Sequence, residues 1–297
     1  MYLSAAEVAK KWNMSERRVR ILCVTKRIPG AFQSGRQWQI PVDAVRPGDN
    51  RLKKAESLIE TIDGKKKRLE ACRPFTAGEA ERLAEEFAVE YIFNSGAMSG
   101  NSLTLRETDM VLRGLAIGEK PLKDHLEIIG HRDAFAFVRK AAEEQRPLTE
   151  ELIKRIHVFV LADKRDDGGV YRRIPVRLAG SKTVPVPPSL IGGEMKRTID
   201  VYRNNREHIV SRLARLHLEF ETIQPFIDGN GRTGRLITNF ELIKAGFPPI
   251  DIKVSDQKLY YNAFDAYAEK GTVSAMEDLF ARCLNESLDI RLKAAEE

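Results

Sequence analysis

Hydrophobic side chains recur at three- and four-residue spacing on both sides of a glycine-rich segment at residues 224–235. Before this segment the apolar positions are Leu213, Leu216, Phe220 and Ile223. After it they are Leu236, Ile237, Phe240 and Ile243, and Gly246, Pro248 and Pro249 follow as stop signals. This spacing places side chains on one face of an α-helix. The pattern therefore predicts two helices joined by a glycine-rich loop.

The first residues of the chain carry two shorter helical patterns. Ser4 and Glu7 have the spacing of a capping box, which predicts a helix that continues to about Trp12. Ser15 is a candidate N-cap for a second helix over residues 16–24. Two helices separated by so short a turn have the spacing of a helix-turn-helix.

Positive charge concentrates in this same N-terminal segment. Residues 1–54 hold twelve Lys and Arg against four Asp and Glu, a net charge of +8, while the whole chain has a formal net charge of +6. The second helix directs three cations outward, at Arg17, Arg18 and Arg20. Residues 28–40 add a short hairpin or wing. This combination predicts DNA binding, with a protein-docking or structural module as the alternative.

Helical periodicity also dominates the rest of the chain. Residues 51–90, 110–165 and 260–292 are predicted to form further helices. The aromatic residues of the last range are assigned to the core: Tyr260, Tyr261 and Phe264. From residue 170 to residue 188 the spacing of apolar side chains shortens to that of extended chain. This pattern predicts a small β-hairpin followed by an extended run. The fold class is therefore mainly α with one small hairpin in the larger part of the chain.

A domain boundary is expected near residues 48–54. The sequence Pro47-Gly48-Asp49-Asn50 breaks the helical pattern there. We divide the chain into an N-terminal domain at residues 1–50, a helical linker region at 51–100 and a main domain at 101–297.

Composition argues against several classes of protein. No apolar run approaches the roughly 18 residues that cross a membrane, and the N-terminus lacks the apolar core of a signal peptide. A cytoplasmic location is therefore expected. The three cysteines are isolated, which argues against a disulfide framework or a Cys-rich metal site. The five histidines lack tight metal-ligand spacing and are assigned structural roles.

The loop at residues 224–235 has the composition of a phosphate-binding segment. Its three glycines, Gly229, Gly231 and Gly234, lie beside Asp228, an Asn and two Arg. Backbone N–H groups of such a loop can turn toward an anion while the carboxylate remains available to a metal. The glycines also fit the G-x-G-x-x-G dinucleotide fingerprint, but that fingerprint requires a preceding strand. A P-loop is excluded because no Gly-Lys-Ser/Thr follows.

These residues resemble the Fic family, whose signature is His-Pro-Phe-x-Asp/Glu-Gly-Asn-Gly-Arg-x-x-Arg. Every fixed position matches except the first, where Gln224 replaces the histidine. The resemblance extends from about Ala55 to the C-terminus and implies a Fic-type helical bundle with a small β-hairpin flap. Residues 1–50 resemble the winged helix-turn-helix of MerR and excisionase proteins.

The Fic resemblance implies transfer of AMP from ATP to a Ser, Thr or Tyr hydroxyl of a protein. The residues that correspond to the catalytic positions are Gln224, Asp228, Asn230 and Arg235. Asp228 is expected to hold Mg²⁺ between phosphates, as suits a carboxylate. The residues expected to bind the nucleotide are Phe226, Asp228, Gly229, Asn230, Gly231, Arg232 and Arg235.

The resemblance also assigns roles to two segments outside the loop. Thr183, Val184 and Pro185 belong to the flap, which holds the modified segment of the target by main-chain pairing. Residues 95–100 lie in the region of an inhibitory motif, Ser/Thr-x-x-x-Glu-Gly/Asn, whose Glu pairs with the last Arg of the signature.

The inhibitory motif is incomplete in this chain. Ser95 and Gly100 match it, but Ser99 stands where the Glu belongs. A hydroxyl cannot form the bidentate, charge-assisted pair that a carboxylate forms with a guanidinium. Inhibition by this segment is therefore expected to be released.

Gln224 leaves the expected chemistry incomplete. An amide has no useful basicity near neutral pH, so Gln224 cannot take the proton as the family's histidine does. The chain is expected to bind Mg-ATP and to transfer AMP poorly or not at all.

Three interpretations of Gln224 stay open. It is a residue introduced in place of the histidine, or it marks a natural variant with another base or another diphosphate-containing donor, or the chain is a nucleotide-sensing DNA-binding regulator. The expected partners are a target protein or the chain itself, and DNA through residues 1–50. A homodimer is left open.

Overall fold

The computed structural model describes residues 2–46, 50–164, 166–178 and 180–296, and the chain divides into two compact units at residues 1–56 and 57–297. Three of the four residues expected to break the helical pattern, Pro47, Gly48 and Asp49, lie outside the described residues. The finer division into three segments stays a prediction.

The N-terminal unit contains two helices and a three-stranded antiparallel sheet. Its elements are β1 (Tyr2–Leu3), α1 (Ala5–Lys11), α2 (Glu16–Val24), β2 (Phe32–Ser34) and β3 (Gln37–Pro41), and the strand order is β1-β3-β2. Ser4 and Glu7 form the expected capping box, since Ser4 N donates to Glu7 Oε2 at 2.7 Å and Glu7 N donates to Ser4 Oγ at 3.3 Å. The two helices and the β2-β3 hairpin lie where the sequence predicts them, while DNA binding stays a prediction.

The larger unit is built almost entirely from helices. They are α3 (Asn50–Ala71), of which residues 57–71 belong to this unit, α4 (Ala77–Ala97), α5 (Leu105–Leu112), α6 (Leu122–Glu143), α7 (Glu150–Val160), α8 (Ile191–Asn204), α9 (Ile209–Ile223), α10 (Asn230–Lys244), α11 (Gln257–Lys270) and α12 (Ser274–Glu296). Short 3₁₀ turns precede α8 and α11. The mainly helical fold class is confirmed.

Helix α10 lies at the centre of this unit. It packs against α6, α7 and α9, and nearly every residue from 232 to 242 is buried. Two of its polar side chains bond to neighbouring elements: Asn239 donates to Ile250 O at 3.0 Å and accepts from Ile250 N at 2.8 Å. Tyr202 of α8 donates to Glu241 Oε2 at 2.7 Å. A helix buried on all sides can hold the residues at its N-terminus rigidly.

The segment between α7 and α8 differs from the predicted hairpin. Its described residues, 161–164, 166–178 and 180–187, form no strand. The guanidinium of Arg172 donates to Ile174 O at 3.0 Å and to Val186 O, so these two carbonyls bond to one side chain. The prolines in the segment also lack the N–H groups that a ladder needs. The segment is therefore a loop held by a buried arginine.

No helix in the described part of the chain is both long enough and apolar enough to cross a membrane.

Candidate active site

The loop between α9 and α10 begins and ends with a left-handed residue. Gln224 is the C-cap of α9 with φ of 47°, and Gly229 is the N-cap of α10 with φ of 72°. Glycine adopts this conformation without a steric penalty. A Cβ on Gly229 would also lie 3.0 Å from Val160 Cγ1. The predicted order of helix, loop and helix is confirmed, and no strand enters the loop.

Asn230 closes the loop on itself. Its side-chain oxygen accepts from Phe226 N and its amide donates to Phe226 O, both at 2.9 Å. The side chain is therefore committed to the loop's own backbone. Only the main chain of Asn230 is available for the phosphate contact that the sequence assigns to it.

Phe226 and His157 support the loop from beneath. Phe226 is 0% exposed, and its ring stacks on His157 with centroids 3.7 Å apart. Phe226 therefore presents no surface to a nucleotide, which corrects the contact role that the sequence suggests. His157 Nδ1 accepts from Gly169 N at 2.9 Å, so Nε2 carries the hydrogen that bonds Asp228 O at 2.9 Å. Burial lowers the pKa of His157 to about 4, which keeps the ring neutral.

The N-terminus of α10 offers backbone donors to an anion. The first intrahelical donor is Thr233 N, which bonds Gly229 O at 3.0 Å. The N–H groups of residues 230, 231 and 232 precede it, and no side chain caps them at Gly229. The helix dipole adds positive potential at this end. Such a terminus suits phosphate oxygens.

Asp228 lies at the mouth of this helix terminus between two cations. Lys164 Nζ donates to Asp228 Oδ2 at 3.1 Å, and the nearest Arg232 nitrogen is 3.9 Å from Oδ1. Burial raises the pKa of Asp228, but the hydrogen bonds from Lys164 and Gly229 N and the charge of Arg232 together hold it below its usual value. The group is thus a stable carboxylate.

The donor set at Asp228 fits magnesium bound together with a nucleotide. Among the described residues no cluster of three or more His, Cys, Asp or Glu side chains could hold a metal alone. Mg²⁺ in nucleotide sites is commonly held by one or two carboxylates plus phosphate oxygens. One ionised carboxylate beside uncapped helix donors satisfies that requirement.

Arg235 is bound to the end of α4. Its Nε donates to Ser95 Oγ at 2.8 Å, and its Nη2 donates to Ser95 O at 2.8 Å and to Ser99 Oγ at 3.1 Å. Nη1 donates to Tyr260 OH at 3.3 Å. Ser95 and Ser99 thus meet the arginine that the sequence pairs with them. One Nη1 hydrogen remains for a ligand, because a guanidinium carries five.

Gln224 bonds to a glutamate one helical turn before it. Its amide nitrogen donates to Glu221 O at 2.9 Å and to Glu221 Oε2 at 2.7 Å. A backbone carbonyl and an ionised carboxylate can only accept hydrogen bonds, so the Gln224 side chain turns its NH₂ group and not its amide oxygen toward Glu221. Burial raises the pKa of Glu221 to about 7, although Arg235 and the Gln224 hydrogen bond oppose the shift. The sequence analysis missed Glu221.

A second residue missed by the sequence analysis is Arg172. It is 5% exposed, and it donates to Gln224 O at 2.6 Å and to Ile223 O at 3.2 Å. Its own N–H bonds Pro225 O at 2.9 Å. A cation at the last carbonyls of a helix interacts favourably with the helix dipole. Arg172 therefore couples the flap segment to the loop.

These elements surround one cavity of about 510 Å³. The loop and the N-terminus of α10 form one wall, and Ser99 and Thr183 lie on others. Three aromatic residues of α11 complete the lining: Tyr260, Tyr261 and Phe264. The sequence analysis assigned these aromatics to the core. Tyr260 is 2% exposed and belongs to the hydrophobic core, and Phe264 packs against that core, so the assignment is wrong for Tyr261, which is 47% exposed. Their rings provide apolar surface beside the polar loop.

The flap residues that the sequence singled out are unequally exposed. Thr183 is 8% exposed and lines the cavity, whereas Val184 is 83% exposed. Pro185 is half-buried next to it. Lys182 N donates to Asp265 Oδ1 at 3.2 Å, which ties this part of the flap to α11. Val184 is thus presented to solvent by a fixed loop.

In the N-terminal unit, three arginines lie on the exposed face of α2. Arg17, Arg18 and Arg20 are all exposed. Arg20 forms an ion pair with Glu16 of the same helix, at 2.5 Å. All three are candidates for contact with an anionic partner.

Comparison with sequence families gives a match within the larger unit. Residues 147–242 match the Fic/DOC family. The protein adenylyltransferase Fic of Drosophila melanogaster is 30% identical over 244 residues, which are 80% of this chain and 49% of that protein. The same protein from Drosophila ananassae is also 30% identical over 244 residues, 80% of this chain and 48% of that protein. This chain spans about half the length of the curated relatives it matches.

Comparison with solved structures agrees with this match. A Fic domain containing signaling protein from Bacteroides thetaiotaomicron superposes with a TM-score of 0.72 at 27% identity, over 80% of this chain and 97% of that one. Fic-1 from C. elegans superposes with a TM-score of 0.73 at 23% identity, over 82% of this chain and 73% of that one, and supports the fold alone. The Fic-type helical fold expected from the sequence is confirmed.

Proposed function

We propose, from the premise that this chain carries a Fic/DOC-family domain, that it binds Mg-ATP in the cavity between α10 and α11 and transfers AMP to a protein hydroxyl. The observation that carries the proposal is the N-terminus of α10, where three uncapped backbone donors lie beside the ionised Asp228. Curated relatives with 30% identity are protein adenylyltransferases. We also propose a cytoplasmic location.

The residues around the cavity divide the tasks of such a transfer. The N–H groups of residues 230–232 bind phosphate oxygens, and Arg232 and the remaining Nη1 hydrogen of Arg235 add positive charge. Asp228 would hold Mg²⁺, which when bound neutralises charge on the departing pyrophosphate. Tyr261 and Phe264 offer apolar surface to the base of the nucleotide. Thr183 and Val184 lie where the flap would hold a target segment.

The transfer requires a proton acceptor. The target's hydroxyl oxygen attacks the α-phosphorus, the bond from that phosphorus to the pyrophosphate oxygen breaks, and the hydroxyl proton must leave. Gln224 cannot receive it, because an amide is not basic near neutral pH. We therefore expect slow transfer. Intact-mass analysis after incubation with ATP, with and without candidate targets, tests the proposal, and a gain other than AMP would indicate another diphosphate-containing donor.

Ser99 should leave the cavity uninhibited. A Ser99→Glu variant should lower AMP transfer by about 10- to 100-fold, because a carboxylate near Arg235 Nη2 would form a charge-assisted pair of about 1.5–3 kcal/mol. That pair would neutralise the cation and occupy space needed by distal phosphates. ATP binding and intact mass, measured on the same preparations, give the readout. The Ser99→Ala variant is the control: it adds no carboxylate and should transfer AMP as fast as the unaltered chain. Equal losses in Ser99→Glu and Ser99→Ala would show that a carboxylate at position 99 is not inhibitory.

A second candidate function is DNA binding by the N-terminal unit. The observation that favours it is the net charge of +8 in residues 1–54 together with the exposed Arg17 and Arg18. In this case the cavity would act as a nucleotide sensor for a transcriptional regulator.

Arg17→Ala and Arg18→Ala should each weaken DNA binding and reduce the slope of log affinity against log salt by about one. Each side chain would contact a phosphate and release a counterion. Titration of a labelled duplex at several salt concentrations measures both quantities, with Lys258→Ala, an exposed cation of the larger unit, as the control. Binding that is absent or independent of salt would favour protein docking instead.

A further inference from the structure

The proton acceptor must come from the groups that face the cavity. In the described part of the chain no histidine lines it, and its carboxylates are Glu221, Asp228 and Asp265. Asp228 bonds Lys164 and is the residue assigned to the metal. Asp265 accepts from the flap backbone at Lys182 N. Glu221 is the carboxylate that remains.

The two histidines nearest the loop are already committed. His157 uses both ring nitrogens, on Gly169 N and Asp228 O. His217 Nε2 lies 2.7 Å from Tyr260 OH, and burial lowers the pKa of His217 to about 3, with the charge of Arg235 as a further cause. Neither ring can take a proton without the loss of an internal hydrogen bond or the burial of a charge beside arginine.

Glu221 is attached to the position from which the family's histidine is missing. It lies three residues before Gln224 on the last turn of α9, so both side chains share a face. Its Oε2 accepts from Gln224 Nε2 at 2.7 Å. Its Oε1 has no hydrogen-bond partner among the described residues. A buried carboxylate oxygen without a partner is costly, and such groups concentrate at functional sites.

We propose that the Glu221 carboxylate takes the proton of the attacking hydroxyl in place of the absent histidine. This inference rests on the proposed adenylyl transfer. The target's O–H bond breaks and an O–H bond forms on Glu221, while the oxygen joins the α-phosphorus and pyrophosphate departs with the electrons of the broken P–O bond. The proton then passes from Glu221 to water. Gln224 holds the carboxylate in place through its amide hydrogens.

The surroundings of Glu221 suit a base that works near neutral pH. Arg235 of α10 and Gln224 favour the ionised form, whereas burial disfavours it, and Tyr260 of α11 and His217 of α9 are the other titratable groups beside it. A base with a pKa of about 7 is half ionised at neutral pH. Transfer should therefore rise with pH through about 7 and level off above it, because only the carboxylate can accept the proton.

The test compares Glu221→Gln in two backgrounds. In the chain as it stands, Glu221→Gln should reduce AMP transfer by about 100-fold or more while ATP binding is retained. In a Gln224→His background the same change should cost about tenfold or less, because the imidazole then accepts the proton and the introduced amide oxygen can still accept an imidazole N–H. Glu219→Gln, on the same helix but outside the cavity lining, is the matched control.

The outcomes separate this inference from the function it rests on. Equal losses in both backgrounds, or a pH profile that keeps its step near 7 after Glu221→Gln, would overturn the role of Glu221. Transfer unchanged by Glu221→Gln would also overturn it. Different results would contradict the proposed adenylyl transfer itself: ATP binding would be absent, or no AMP would be incorporated even by the Gln224→His chain. Melting temperatures of all variants show that they are folded.

Discussion

A Gln224→His variant should incorporate AMP about 100-fold faster than the chain as it stands. A positioned general base contributes about 10²- to 10⁴-fold to a transfer of this kind. The gain should lie at the lower end, because Glu221 already receives the proton in our proposal. A gain near 10⁴-fold would mean that the unaltered chain has no working base.

The structure indicates that the variant can fold. Gln224 has φ of 47°, a conformation in which histidine is enriched among non-glycine residues. Glu221 Oε2, now 2.7 Å from the Gln224 amide, can accept an imidazole N–H. Intact-mass analysis of the chain and of candidate targets after incubation with ATP gives the measurement.

The matched control for this prediction is Gln224→Asn. It keeps an amide at the same backbone position, tolerates the left-handed conformation and adds no base, so it should give no gain. If the histidine variant binds ATP yet incorporates no AMP on itself or on several targets, the nucleotide-sensing regulator becomes the better function. A gain in both variants would show that the side chain at this position limits access and not proton transfer.

The helices around the loop could be predicted from the sequence because their signals are local. The apolar residues within α9, and those within α10, lie only three or four positions apart. The order of helix, loop and helix was sufficient to reject a dinucleotide-binding strand. The left-handed N-cap at Gly229 follows from the same local order, since the glycine must precede the first turn of a helix.

The features that the sequence did not reveal depend on contacts distant in the chain. The predicted hairpin is a loop because the side chain of Arg172 bonds the carbonyls of Ile174 and Val186. The same guanidinium bonds the carbonyls of Ile223 and Gln224, about fifty residues away. Tyr261 has the spacing of a core residue, yet it lines the cavity because α11 packs across from the loop. The proline-rich composition of the segment was the available signal for the first, and no signal in the sequence marked the second.

Asn230 and Phe226 show that a match to the family signature does not by itself identify a ligand contact. The Fic resemblance groups both with the nucleotide-binding residues, but Asn230 uses its side chain to bond the backbone of Phe226. Phe226 is fully buried against His157. Motif positions can thus be fixed by the needs of the loop's own conformation. Contact with a ligand is only one reason for a residue to match a signature.

An Asp228→Asn variant should lose Mg²⁺-dependent ATP binding by about 10- to 100-fold. Removing a charged partner from a polar contact costs about 1.5–3 kcal/mol, and each 1.4 kcal/mol changes a dissociation constant tenfold. The amide keeps the size of the side chain but supplies no negative charge to a hard cation. Lys164 loses its partner at the same time, so the site becomes more positive. ATP without metal should therefore bind the variant no worse than it binds the unaltered chain.

Calorimetric or fluorescence titration with ATP, with and without Mg²⁺, measures both affinities. Asp109→Asn is the matched control, because Asp109 pairs with Arg113 on the surface of α5 and does not line the cavity. The decisive quantity is the affinity for ATP with Mg²⁺ divided by the affinity for ATP without it. This ratio should fall in Asp228→Asn and stay unchanged in Asp109→Asn. Each variant differs from the unaltered chain by the exchange of one carboxylate oxygen for an amide nitrogen. If the ratio of ATP affinities with and without Mg²⁺ is the same in the unaltered chain, Asp228→Asn and Asp109→Asn, then Asp228 binds no metal.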